Sequence, residues 1–228
     1  MPRGCAVFYV PKRNQHLITS IPTSYGFIPP NSLPKSPPPS NPSKPAWVNM
    51  FEFAGTIDIS PYLCVRVAKE YRQSVLGGEH RIMEYIQDIS QHGAQIIAGM
   101  LGTEVLDNIG QTLTKCALQN VRLPIGICSR ERYISPKERE GKVQTVLVDN
   151  HKKTLLTQYL QQVMPQEFNT FIPVNVYRGN WYARISGQVY LDEEDFRYGG
   201  KVLLDLVGRV RNGRWERGYR TSLGAGTI

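Results

Sequence analysis

Two short stretches carry residue types that could do chemistry. Residues 47–59 start as a short aromatic strand, and within them Phe51-Glu52-Phe53-Ala54-Gly55-Thr56 ends that strand in Gly-Thr just before a helix start. A backbone amide and a hydroxyl presented there suit a phosphate oxygen, and glycine lets the ligand come close. A Gly-Thr pair also serves as an ordinary turn, and by itself it does not separate the two. The second stretch is Trp181-Tyr182-Ala183-Arg184-Ile185-Ser186-Gly187-Gln188-Val189-Tyr190. Alternation puts Tyr182, Arg184, Ser186 and Gln188 on one strand face and Trp181, Ala183, Ile185 and Val189 near the other. A mid-strand arginine between small residues offers a planar fork to a carboxylate. The same spacing suits an arginine ion-paired within a sheet.

The remaining reactive side chains are scattered. Cysteines at 5, 64, 116 and 128 match neither a CxxC redox pair nor a zinc ribbon, and His16, His80, His92 and His151 form no ligand spacing. Reduced, mostly buried thiols are the expectation, with no metal. The net charge of +8 is local. Five arginines against Glu216 between positions 209 and 220, with Lys35 and Lys44, leave only +2 on the rest of the chain. A nucleic-acid face on the folded part is therefore not supported, and binding of RNA through the short arginine-glycine tail is the weaker alternative.

Elements must position these groups. Residues 4–10 are a continuous apolar run, expected as a buried strand stopped by Pro11. Residues 29–45 hold eight of the sixteen prolines and read as an exposed loop, with Pro34 to Pro37 giving a PxxP spacing. Ser60-Pro61 starts a helix that runs to about Val75 and ends at Gly77-Gly78. The next helix spans Glu79 to about Leu101, with Ile82, Tyr85, Ile86, Ile89, Ile96, Ile97 and Met100 at helical spacing and Gly102 closing it. Beyond it, Val105-Leu106, Cys116 to Leu123, Phe171 to Tyr177 and Trp181 to Val189 read as strands. Helices are expected at about 151–163 and, capped by Asp192, at 193–210. Residues 129–142 read as a charged, solvated loop. No apolar stretch is long enough to span a membrane, and the first residues do not resemble a secretory leader, so the expected location is cytoplasmic.

Taken in order, five stretches resemble the C-terminal part of the class V aminotransferase family of pyridoxal-phosphate enzymes, in the branch similar to fungal isopenicillin N epimerase and cysteine desulfurases. They are Pro2-Arg3-Gly4-Cys5-Ala6-Val7, Phe53 to Asp58 with Ser60-Pro61-Tyr62, Gly77-Gly78-Glu79, Leu101-Gly102-Thr103-Glu104 and Arg184 to Tyr190. The resemblance implies an α/β fold, the distal part of a fold-type I transferase, with a complete small α+β domain built on a short, mainly antiparallel sheet. It divides the chain into a remnant of the large cofactor domain (1–60), connecting helices (61–103), the small domain (104–210) and a basic, disordered tail (211–228).

The resemblance also implies roles. Thr56, with Gly55 beside it, would reach the phosphate of pyridoxal 5'-phosphate across a homodimer interface, and Arg184 would bind the α-carboxylate of an amino-acid substrate. The Schiff-base lysine would lie a few residues before the Pro-Arg-Gly strand, upstream of Met1, so no residue here takes the catalytic role. Lys12 follows that strand, on its wrong side, and Tyr25 stands where relatives often have histidine. The reading is a fragment of an enzyme acting on an amino acid by transamination, epimerisation or carbon–sulfur cleavage, inactive alone. The alternative is a non-catalytic binding or regulatory remnant that associates with a full-length paralogue.

Overall fold

A computed structural model describes residues 6, 8–21, 27, 41, 43–53, 55–56 and 58–216. The chain divides into two compact units, residues 1–75 and 76–228. Most of the Pro-rich stretch, Tyr25 and residues 217–228 lie outside the described residues.

In the first unit a 3-10 turn at Lys12–Leu17 is followed by α1 (Ala46–Glu52) and α2 (Ser60–Ser74). The strand expected at 4–10 is not formed at its described positions: Phe8 and Tyr9 are exposed and only Val10 is buried. No described strand in this unit offers a ladder to hold it. The aromatic stretch at 47–53 is also corrected, from strand to helix. Pro45 fixes the chain just ahead of the first turn, and Asn49 on the helix donates to the carbonyls of Asn41 and Lys44. Trp47 and Phe51, one turn apart, pack with ring centroids 4.5 Å apart, a contact a strand would deny them.

The second unit opens with α3 (Glu79–Leu101), whose bounds match the sequence pattern. Gly102, left-handed at φ 69°, closes it. The Thr103 N–H reaches the Ala98 carbonyl at 2.8 Å and the Gly102 N–H reaches that of Gly99 at 3.2 Å, the paired bonds of a Schellman turn. There follow β1 (Leu118–Ile127), α4 (Pro136–Arg139), β2 (Val146–Val148), α5 (Lys153–Glu167), β3 (Val174–Tyr177), β4 (Asn180–Ser186) and α6 (Glu193–Arg211). The strands form one mixed sheet in the order β2-β1-β4-β3, with β1–β2 parallel and the other two pairs antiparallel. Arg178 and Gly179, both at positive φ, make the two-residue turn between β3 and β4.

One sheet face is the core. Val121, Leu123, Ile125 and Ile127 of β1 and Trp181, Ala183 and Ile185 of β4 are buried with apolar residues of α3, α5 and α6. Asp192 caps α6 through a reciprocal box with Asp195. The basic tail expected to be disordered from 211 is corrected at its start: Arg211 ends α6, and Trp215, only 2% exposed, belongs to the core. The thiol expectation is corrected as well. Cys64, Cys116 and Cys128 are free but exposed, because they sit on α2, which buries nothing, and at the two ends of β1. Among the described residues no helix is long and apolar enough to cross a membrane.

Candidate functional site

The second face of the sheet carries charge. Alternation along β1 and β4 places Asn120, Arg122, Tyr182 and Arg184 on it, and the antiparallel register sets Arg122 opposite Tyr182 and Asn120 opposite Arg184. The connection from β1 to β2, expected as a solvated loop, packs back onto this face. Ser135 accepts the Glu138 N–H and starts α4, and Glu138 is held between two guanidinium groups. Arg132 donates to both of its oxygens, at 2.7 and 3.0 Å, and Arg122 Nη1 lies 3.4 Å from Oε2. Arg122, with no exposed side-chain surface, also donates from Nη2 to Ser135 Oγ at 3.0 Å. Its Nε stands 2.6 Å from Glu104 Oε1, a charge contact without the alignment of a directed hydrogen bond.

Two carboxylates thus face two guanidinium groups, and this part of the face is balanced. The Arg132 hydrogen bonds hold the Glu138 carboxyl below the usual carboxylate range against the opposing effect of burial. Burial pushes the Tyr182 phenol up, so it stays protonated.

Arg184 is different. Its main-chain N–H bonds the Pro173 carbonyl at 2.8 Å, which fixes the strand, but its guanidinium has no hydrogen bond or ion pair among the described residues. The side chain is exposed and lines a cavity of about 380 Å³ with Pro173, Ser186, Gln188 and Tyr190. Asp195 of α6 lines the same cavity but is held in the helix cap, so Arg184 is a cation without an ion-pair partner among the described residues beside a neutralised cluster, which suits an anion site.

Gly55 and Thr56 stand in the first unit, between α1 and α2, whereas Arg184 belongs to the second. Gly55 has φ 66°, and a Cβ built there would meet nothing within 4 Å. The Thr56 amide and hydroxyl are exposed and without a partner among the described residues. Ser60 is not the cap of α2. Ile59 holds that position, and Asp58 Oδ1 accepts the Ser60 N–H at 2.9 Å. The bonds from Ser60, side chain first and backbone second, keep the Asp58 carboxyl below its ordinary value. The Ser60 N–H is therefore taken, while Thr56 keeps its own amide and hydroxyl free among the described residues.

Sequence reading found Arg184 and missed Arg122, Arg132 and Glu138. The signals were present: Arg122 is a lone charge in the apolar run of β1, and Ser135-Pro136-Lys137-Glu138 is a capping-box pattern with proline at the first turn.

No family model matches the chain. It is 33% identical over 224 residues to an L-cysteine desulfhydrase-like protein of Epichloe uncinata, covering 93% of this chain and 48% of that protein. A second L-cysteine desulfhydrase-like protein of the same fungus is 33% identical over 215 residues, or 89% of this chain and 45% of its own length. A hercynylcysteine sulfoxide lyase of Schizosaccharomyces pombe is 30% identical over 205 residues, which is 90% of this chain and 42% of the lyase. The chain spans about half the length of the curated relatives it matches.

Proposed function

We propose that this chain is the carboxylate-binding part of a pyridoxal-phosphate enzyme of the class V aminotransferase family that breaks a carbon–sulfur bond in a cysteine-type amino acid. The observation that carries the reading is Arg184, a guanidinium fork unpaired among the described residues, beside two arginines that are paired with carboxylates. The names of the relatives support carbon–sulfur cleavage over transamination or epimerisation. Pyridoxal phosphate, when bound, supplies the electron sink that makes bonds to the substrate Cα labile.

The residues present fit its phosphate. Gly55 leaves open space where a Cβ would stand, and Thr56 offers an amide and a hydroxyl that bond nothing else described. Thr56 holds the phosphate in this reading and Arg184 orients the substrate by its carboxylate. None of the 228 residues is assigned to the imine: Lys12 is exposed at the start of the 3-10 turn. A homodimer is part of the reading, supported by the exposed stripe Leu63, Val67 and Tyr71 on α2, continued by Val75 at its end.

The test is a titration of the 228-residue chain, watched at the Arg184 Nε–Hε resonance. L-cysteine is expected to shift it and cysteamine, which lacks the carboxylate, is not; Arg184→Lys removes the response. With pyridoxal phosphate added, the chain is expected to release no sulfide and to trap no cofactor on borohydride treatment. An Arg184 indifferent to L-cysteine, or a stoichiometric trapped adduct on any lysine, overturns the assignment.

A further inference from the structure

Asn120 has the same standing in the fold as Arg184 and no assigned task. It lies directly opposite Arg184 in the antiparallel register of β1 and β4, which sets their Cβ atoms about 4.5–5.5 Å apart on one sheet face. Its backbone is held on both sides. On one side β4 pairs with it, and on the other the Leu106 N–H donates to its carbonyl at 2.8 Å beside the bridge between Val105 and Val121. Its side chain is idle: the carboxamide is half-buried and makes no hydrogen bond among the described residues. The Asn120 carboxamide and the Arg184 guanidinium both stay open to a ligand, on a face where Glu104 and Glu138 already engage Arg122 and Arg132.

A carboxylate suits both donors. An arginine fork donates one in-plane bond to each carboxylate oxygen, and each oxygen keeps a further lone pair. We propose that Asn120 is the second carboxylate-binding residue, donating from Nδ2 to an oxygen already held by Arg184 and so fixing the rotation of the carboxylate about the fork. The inference rests on the reading of Arg184 as the carboxylate site and adds the residue that orients its ligand. Glu104 and Glu138 on this face are already paired with guanidinium groups, and Asp195 of α6, which lines the Arg184 cavity as well, is engaged by the Asp192 N–H in the helix cap.

The experiment uses the 228-residue chain, L-cysteine as the probe, and the Arg184 Nε–Hε resonance as the readout. Asn120→Leu removes the donor at similar volume, and binding is expected to weaken about tenfold, as for one lost hydrogen bond to a charged group, with the thermal midpoint unchanged. Asn120→Asp places an anion opposite Arg184. It is expected to shift the Arg184 signal without ligand and to abolish the response to L-cysteine. If Asn120→Leu binds as tightly as the unaltered chain while Arg184→Lys has lost binding, the role of Asn120 is overturned and the carboxylate reading stands. If the unaltered chain gives no response, both fall.

Discussion

Arg122 and Arg184 project from the same sheet face and meet opposite surroundings. Arg122 is fully buried and reaches Glu104, Glu138 and Ser135, whereas Arg184 is exposed and, among the described residues, bonds only through its backbone. The fold therefore depends on one and not on the other. Lysine cannot reproduce three contacts fanned across a plane, and removing one partner of a buried pair strands the charges it leaves. Arg122→Lys is expected to cost about 3 kcal/mol, a drop of roughly 6–12 °C in thermal midpoint for a unit of this size. Arg184→Lys should leave the midpoint unchanged. Equal losses in a melting comparison would show that Arg184 is structural. Glu138 supplies a second check. Its carboxyl is held below the ordinary 4.5 chiefly by the Arg132 hydrogen bonds, so the native state binds that proton less readily than the unfolded chain. Its stabilising contribution is present above about pH 4.5 and is lost as the pH falls below it. Glu138→Gln should lower stability at neutral pH and flatten the acid side of the stability curve, read by denaturant melts between pH 3 and 7. An unchanged acid slope would mean that Glu138 is not a principal source of it.

At the scale of elements, termini were legible and context was not. Gly78 and Gly102 bracket α3, and Asp192 opens α6, because caps act over a few residues that the sequence displays directly. Asp192→Ala should lose the box with Asp195 and cost about 1 kcal/mol, visible as a small fall in midpoint. The aromatic stretch 47–53 misled because β-propensity is weak and Pro45, with the Trp47–Phe51 pair, decides for helix. The loop 129–142 misled for a different reason: its charges look solvated until β1 supplies Arg122 as their partner, a pairing across the fold that composition does not display. The candidate site divides in the same way. Arg184 follows from alternation within one strand, while Asn120 depends on the register between two, which no local pattern sets. Register has its own probe at Gly187. A Cβ there would stand 2.0 Å from the Ile86 carbonyl oxygen, a backbone atom that cannot rotate away. Gly187→Ala should force α3 from the end of β4 and cost about 3 kcal/mol. A midpoint within a degree or two of the parent would contradict that close approach.

At the scale of the whole molecule, the two units differ in what they bury. The core cluster is drawn entirely from residues between Ala94 and Trp215, all in the second unit. In the first, the only buried side chains among the described residues are Val10 and Ser20, and α1 and α2 bury none. Burial of apolar surface is the principal favourable contribution to folding, so stability should reside in residues 76–228. The Arg184 and Asn120 pair and the buried Arg122 cluster lie within the same unit, on strands that the core holds in register. A chain cut before Leu76 is therefore expected to fold, to melt within about 3 °C of the parent, and to keep the slow amide exchange of α3 and β1. It should also keep the response of Arg184 to L-cysteine, because no residue assigned to carboxylate binding is removed. The donors of Gly55 and Thr56 go with the excised segment, so any response to inorganic phosphate at Thr56 in the parent has no counterpart in the shortened chain. If the shortened chain instead melts more than about 10 °C lower, a loss of several kcal/mol, the first unit contributes to the fold well beyond its own buried surface. If it melts normally but Arg184 no longer answers L-cysteine, the carboxylate site draws on residues before Leu76, and the assignment of that site to β1 and β4 alone fails.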